Sequence, residues 1–140
     1  LQVAPAIALA LIKSQAGVPA MKAILANQEV DEYARAHIAV ALGKVGAKDA
    51  LKQLVDGLTD NSNHVARSCA IALGLIVSPE DKASIRQLMS HAKSANDIST
   101  RNFCLISLGQ IGSPEAVAFL AEQVIVARLQ RITGRRGFLP

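Results

Sequence analysis

The sequence predicts an all-α fold, an α-α superhelix (solenoid) of about four helix pairs, from three observations. A short motif recurs: Ala-Leu-Gly at 41–43 and 72–74 returns as Ser-Leu-Gly at 107–109, at spacings of 31 and 35 residues. Each copy ends a helix of small residues and is followed by a turn and a second helical segment. Aromatic residues make up only 3% of the chain, and no segment shows strand alternation between hairpin turns. A recurring period of this length is typical of stacked helical repeats.

The predicted helices follow from this period. A degenerate copy of the motif at 10–12 precedes a helix over 18–26, again 31 residues upstream of the next copy. The first helices of the three full copies are predicted over 34–42, 65–73 and 100–108, and the second helices over 49–58, 79–91 and 114–132. We therefore expect a repeat domain over 1–127 and a basic C-terminal tail over 128–140. The sequence leaves open whether that tail binds a partner or is disordered.

Ser-Pro pairs mark the expected starts of two second helices. Ser78-Pro79 and Ser113-Pro114 occupy the same position in successive repeats. A serine can cap a helix, and proline suits the first helical residue because its missing N–H would have no partner there. Both pairs therefore predict a helix that begins at the proline.

Helical spacing predicts which side of the first helices is buried. Residues at i, i+4, i+7, i+8 and i+11 fall on one face of a helix, and the motif Leu lies on that face. The Gly after it lowers helix propensity by about 1 kcal/mol, which indicates that it leaves room for a crossing backbone. The predicted packed faces are Ala34, Ile38, Ala41, Leu42 and Val45; Val65, Cys69, Ala72, Leu73 and Ile76; and Thr100, Cys104, Ser107, Leu108 and Ile111.

The segment V-A-R-S-C-A-I-A-L-G at 65–74 resembles HEAT-type repeats, most of all the short HEAT-like repeats of phycobilin lyases and many bacterial scaffold proteins. Those units carry Val-Arg, alanines, Ala-Leu-Gly and often Ile-Gly, which this chain has at 111–112. The resemblance covers about residues 6–127 and implies stacked helices that serve mainly as binding surfaces. It also implies that a turn Asp pairs with an Arg that opens the next helix. The expected pairs are Asp60 with Arg67 and Asp97 with Arg101.

No motif in the sequence points to catalysis, a cofactor or a metal site. Cys69 and Cys104 occupy equivalent positions in adjacent repeats, and stacked helices lie about 8–10 Å apart, beyond the Cα reach of about 7 Å for a disulfide. Both are expected to be buried free thiols, which favours a reducing, cytoplasmic compartment. None of His37, His64 and His91 is followed by Glu, so the His-Glu pairs of the HEAT-like deoxyhypusine hydroxylase are absent from the sequence.

A second apolar stripe marks a candidate binding surface. The residue two before the motif Leu is Val40, Ile71 or Ile106, where many HEAT-like repeats have a polar residue. These side chains point to a different side of the helix from that Leu, the side that lines the concave face of a HEAT-type stack. An exposed stripe there indicates a bound protein, self-association or contact with the tail, and tight helix packing could equally cover it. The candidate protein-binding residues are Tyr33, His37, Val40, Lys44, Arg67, Ile71, Leu75, Asn102, Ile106 and Gln110.

Charge separates the remaining function classes. The net charge is +4, but residues 1–127 carry 11 basic and 11 acidic groups, and the excess lies in Arg128, Arg131, Arg135 and Arg136. A nucleic-acid binder would spread basic and aromatic residues along its groove, so nucleic acid is disfavoured. We expect a non-enzymatic protein-protein interaction scaffold that binds a peptide or helix through its concave face. A nucleic-acid-binding HEAT-like protein and a phycobilin lyase-like subunit are the alternatives. Self-association through the N-terminal helix or the tail is also open, and no membrane contact is expected.

Overall fold

The computed structural model describes residues 3–134, which contain eight α-helices and no strand. The helices are α1 (Val3–Leu11), α2 (Val18–Ala26), α3 (Glu32–Val45), α4 (Leu51–Asp56), α5 (Asn63–Ile76), α6 (Lys82–Ser94), α7 (Ile98–Ile111) and α8 (Pro114–Thr133). Short 3₁₀ turns precede α2 and flank α4 on both sides. The predicted all-α solenoid is confirmed.

The helices form two layers, in which α1, α3, α5 and α7 stack side by side and the even-numbered helices cover them. Neighbouring odd-numbered helices pack closely, whereas neighbouring even-numbered helices barely meet. In a curved stack the layer with the closer spacing lies on the inside, so the closer packing of the odd-numbered helices agrees with the expectation that they form the concave layer. The best-packed hairpins are α2–α3, α4–α5 and α6–α7, each joined through a polar break. Each best-packed hairpin therefore joins a second helix to the first helix of the following repeat, whereas the motif suggested that each first helix pairs with the second helix after it.

The two Ser-Pro pairs behave differently in the structure. Ser113 Oγ accepts the N–H of Ala116 at 3.1 Å, and α8 begins at the following proline, as predicted. The prediction that this helix begins at Pro79 with Ser78 as its cap is wrong, because α6 begins at Lys82 with Asp81 as its cap. Asp81 accepts the backbone N–H of Ser84 at 3.1 Å and its hydroxyl at 2.7 Å. A carboxylate that takes both donors stabilises this start more than a single serine would.

The predicted packed faces form the centre of the stack. Leu42, Leu73 and Leu108 are completely buried, and every other residue of the three faces is buried except Ala34, which is half-buried. Burial of apolar side chains contributes about 25 cal/mol per Å², so these residues make a large contribution to the stability of the fold. The core continues without a break from α1 to α8.

Neighbouring first helices approach most closely at the motif glycines. A Cβ placed on Gly43 would lie 2.7 Å from the Cα of Ala72, and one placed on Gly74 would lie 2.7 Å from the Ser107 Oγ. Ser107 uses that hydroxyl to donate to the carbonyl of Ala70 on the preceding first helix, at 2.7 Å. The role of the glycines in close approach is confirmed for these two copies.

Two ion pairs join successive repeats, but each Asp pairs with an Arg that precedes it in the sequence and not with the expected Arg that follows it. Arg35 on α3 donates from Nη1 to Asp60 Oδ2 at 2.7 Å, and Arg67 on α5 donates from Nε to Asp97 Oδ2 at 2.8 Å. The expected pairs Asp60–Arg67 and Asp97–Arg101 are therefore wrong. Each Asp precedes one first helix and meets the Arg of the helix stacked before it, because stacking, not sequence proximity, brings the two charges together.

These pairs shift the pKa values of both carboxyls. Burial alone would raise the pKa of Asp60, but hydrogen bonds from Arg35 and from the Ser62 amide outweigh it and lower the pKa. Hydrogen bonds from Arg67 and then Thr100 hold the pKa of Asp97 well below its usual range. Both carboxylates are charged at neutral pH and join one repeat to the next.

The two cysteines are buried free thiols, as predicted. Burial raises the pKa of Cys69 and of Cys104 to about 12. A thiol with such a pKa carries almost no thiolate at neutral pH, so both side chains act as small apolar groups of the core.

Helix α8 continues past the expected domain boundary between 127 and 128. It ends at Thr133, so Arg128 and Arg131 lie at exposed positions on this helix. The rest of the predicted tail, 135–140, lies outside the described residues, and so do the expected roles of its arginines and apolar residues.

Candidate binding face

All ten candidate binding residues lie on the first-helix layer. Helix α3 carries four of them, and α5 and α7 carry three each. The exposed members are Tyr33, His37, Lys44, Leu75, Asn102, Ile106 and Gln110, and the half-buried ones are Val40, Arg67 and Ile71. We use the term concave stripe for the apolar members Val40, Ile71, Leu75 and Ile106.

The concave stripe becomes more exposed toward the C-terminal end of the stack. Val40 and Ile71 occupy the same repeat position as Ile106, yet both are half-buried, whereas Ile106 is 55% exposed. Leu75, one turn after Ile71, is 48% exposed. Helix packing thus covers part of the stripe at Val40 and Ile71 and leaves Leu75 on α5 and Ile106 on α7 exposed.

A shallow pocket lies at the other end of the stripe, between α1 and α3. It has a volume of about 140 Å³. His37, Val40 and Lys44 line its α3 side, and Ile7 and Leu11 line its α1 side. Leu11 is 70% exposed, so the pocket offers an apolar wall with two basic or ionisable groups at its rim.

Two of the candidate residues are already engaged within the fold. Arg67 donates from Nε and Nη2 to the two carboxylate oxygens of Asp97, at 2.8 and 2.9 Å. Its charge is therefore balanced, and the side chain contributes its stem to the surface. The amide of Gln110 lies over Gly74, where it fills space at the crossing of α5 and α7.

The family follows from comparison with known sequences. A model of HEAT repeats matches residues 1–74, which is more than half of the chain. The chain belongs to the HEAT-repeat family. A comparison with curated proteins gave no match. HEAT repeats generally mediate protein–protein interaction, and the family is typically a non-enzymatic scaffold.

The HEAT-repeat stack places further residues beside the candidates. The Tyr33 ring lies 4.5 Å from the His64 ring, centroid to centroid, at an interplanar angle of 45°. Ser68 and Phe103 share the repeat position of His37. The sequence contained the information needed to predict the contact between Tyr33 and His64. His64 follows Tyr33 by the repeat spacing of 31 residues, and equivalent positions of successive repeats meet in a stack.

Two further findings bear on what this HEAT-repeat chain can hold. Among residues 3–134 there is no group of three or more His, Cys, Asp or Glu side chains that could bind a metal ion. Over the same residues, every helix is too short or too polar to cross a lipid bilayer.

Proposed function

We propose that this HEAT-repeat chain is a non-enzymatic interaction module that binds an amphipathic helix or peptide along its concave side. The observation that carries the proposal is the concave stripe, in which Leu75 on α5 is 48% exposed and Ile106 on α7 is 55% exposed. Exposed apolar patches rimmed by polar groups are typical of interaction sites.

The ligand that fits this surface is a segment with one apolar side. The stripe crosses the first helices, so a partner laid across them meets Val40, Ile71 and Ile106 in turn. Exposed polar side chains border it, among them Tyr33, His37, Lys44 and Asn102. A helix in a groove uses anchors at helical spacing, which suits the regular repeat of these side chains.

The pocket between α1 and α3 supplies a natural end for such a groove. An apolar anchor of the partner would contact Leu11 and Val40 there, and an acidic neighbour would lie near Lys44. Lys44 makes no salt bridge with any of residues 3–134, so its ammonium group is available to a carboxylate of the partner.

The test is selection of peptide ligands on the purified chain, followed by binding to matched variants. Ile71→Glu places a charge in the concave stripe, and Ile125→Glu makes the same change at an exposed position of α8 in the other layer. Selected peptides should bind wild type and Ile125→Glu alike and lose at least tenfold in affinity on Ile71→Glu. That factor corresponds to about 1.4 kcal/mol, less than a fully buried Ile contributes.

Equal binding of the selected peptides to Ile71→Glu and wild type would refute the concave site. Circular dichroism of each variant shows that the comparison is made between folded chains. Loss of binding on Ile125→Glu instead would move the interaction to the convex layer.

A further inference from the structure

The side of α7 that faces away from α5 repeats the features by which α3 and α5 each receive the next first helix. The receiving side of α3 has two parts: Arg35, which binds Asp60 before α5, and Gly43, which admits Ala72 of α5. On α5 the same two parts are Arg67, with its partner Asp97, and Gly74, with Ser107 against it.

Helix α7 has the arginine of the first part, Arg101, but no carboxylate among residues 3–134 pairs with it. Arg35 holds its guanidinium in place by donating from Nε to the carbonyl of Val30, in the loop before its own helix. Arg101 does the same, donating from Nε to the carbonyl of Ala95. In Arg35 the terminal amino groups then meet Asp60, whereas those of Arg101 meet no carboxylate among residues 3–134.

The second part is open as well. A Cβ placed on Gly109 would meet only the Leu120 Cδ1, at 3.9 Å, which is ordinary contact, whereas Cβ atoms on Gly43 and Gly74 would overlap the following helix. Ile106 lies one turn before Gly109 and is far more exposed than its counterparts Val40 and Ile71. A guanidinium, an open glycine and an exposed isoleucine thus lie along one side of α7.

We propose that this side of α7 binds a helix from a partner protein that carries a carboxylate at its N-terminus and a small residue about three turns later. The carboxylate would pair with Arg101, and the small residue would pack on Gly109. The spacing comes from the two filled copies, in which Asp60 precedes Ala72 and Asp97 precedes Ser107 by 12 and 10 residues. Ala and Ser both serve as the small residue there.

Charge and packing argue against the odd-numbered helices and residues 128–140 of this chain as occupants. Helix α1 of a second copy carries no acidic residue, and α3, α5 and α7 are each already stacked on a preceding helix. Residues 128–140 contain four arginines and no acid, so they would repel Arg101. The proposal concerns a different surface from the concave stripe, with only Ile106 at the shared edge, and it does not depend on the proposed function.

The probe is a lactam-bridged peptide with the sequence of residues 59–76, in which Cys69 is replaced by Ala. It contains Asp60 and Ala72 at the required spacing, and the bridge fixes the helix before binding. Fluorescence anisotropy measures its binding to the full chain. We expect Arg101→Gln to weaken binding by about tenfold or more, since a close charge pair couples strongly across an interface. Gly109→Leu should abolish measurable binding.

Matched controls separate this site from others. Arg131→Gln removes an exposed arginine on α8 and should leave binding unchanged. A peptide with Asp60→Asn should bind wild type more weakly than the unmodified peptide does, by the same factor as Arg101→Gln causes. The two peptides should bind the Arg101→Gln variant equally. The change in the peptide leaves the packing of the chain itself unaltered. If Gly109→Leu fails to fold by circular dichroism, this peptide comparison still decides.

Three results would overturn the proposal. The first is that the peptide does not bind even at concentrations that saturate ordinary helix–groove complexes. The second is that the peptide binds wild type and Arg101→Gln equally. The third is that the chain alone forms a dimer and that Gly109→Leu abolishes this dimer. The last result would identify a second copy as the occupant.

Discussion

Arg35 and Asp60 form an ion pair in which both side chains are more than nine-tenths buried, although they lie 25 residues apart in the sequence. The exposed fractions are 5% for Arg35 and 8% for Asp60. The Lys52–Asp56 pair on α4 has a similar separation, 2.8 Å, but its side chains are 89% and 63% exposed. The two pairs therefore differ mainly in their access to water.

Removal of Arg35 should be costly, and removal of Lys52 should not. Arg35→Met leaves the Asp60 carboxylate buried without its partner, and we expect the free energy of unfolding to fall by about 3–5 kcal/mol. Lys52→Met should change it by less than about 1 kcal/mol, because water screens that pair. Urea denaturation followed by circular dichroism measures both. Similar small losses for the two variants would contradict this assignment.

The same pair predicts loss of stability in acid. The pKa of Asp60 is lower in the folded chain than in the unfolded one, so the unfolded state binds a proton first as the pH falls. The contribution of the pair is full above the ordinary carboxyl range of about 4 and is lost as the pH falls through the lowered pKa. Urea titrations between pH 6 and pH 2 should show a steeper loss for wild type than for an Arg35→Met/Asp60→Leu double variant. Parallel curves would show that Asp60 does not carry this dependence.

Two leucines on α5 test the orientation of that helix. Leu73 is completely buried and Leu75 is 48% exposed, although they are two residues apart. Leu73→Ala should lower the free energy of unfolding by about 2–5 kcal/mol through the cavity it leaves. Leu75→Ala should change it by about 0.5 kcal/mol or less, as surface substitutions usually do. Denaturant titration of both variants measures the difference, and comparable losses would mean that the packed face is assigned incorrectly.

The sequence predicted the packed face well because that face depends on helical period alone. Once Leu42, Leu73 and Leu108 mark one register, the residues four and seven positions away must share their side of the helix. The buried thiols of Cys69 and Cys104 follow from the same register.

The ion pairs and the start of α6 depend on information that the period does not contain. Asp60 has an arginine seven residues after it and another 25 residues before it, and only the direction of stacking decides that Arg35 is its partner. For α6, Ser78 and Asp81 are both possible caps, and the choice depends on the Ser84 hydroxyl, which adds a second hydrogen bond to the carboxylate. The degree of exposure of the concave stripe likewise depends on how tightly neighbouring helices pack.

Two motif glycines should respond in opposite ways to the same substitution. In Gly43→Ala the new methyl group would overlap the backbone of Ala72, which cannot move without shifting α5, so we expect a loss of about 1–3 kcal/mol. In Gly109→Ala the methyl group enters open space in a helix, so we expect a gain of up to about 1 kcal/mol from helix propensity. Thermal and urea denaturation give the sign of each change. A destabilising Gly109→Ala would mean that this side of α7 is occupied.

The cysteines provide a probe of how the stack opens. Burial raises the pKa of both thiols to about 12, and Cys69 lies deep enough that a Cβ on Gly57 would collide with its sulfur. A thiol reagent needs the thiolate and physical access, so neither cysteine should react at pH 8 in the native chain. Both should react in urea. Cys104 lies on α7, at the end of the row of odd-numbered helices, whereas Cys69 lies on α5, between α3 and α7. Local opening from the α7 end should therefore expose Cys104 first. Mass spectrometry of chains labelled at low urea would show this order, and earlier labelling of Cys69 would mean that the stack opens elsewhere.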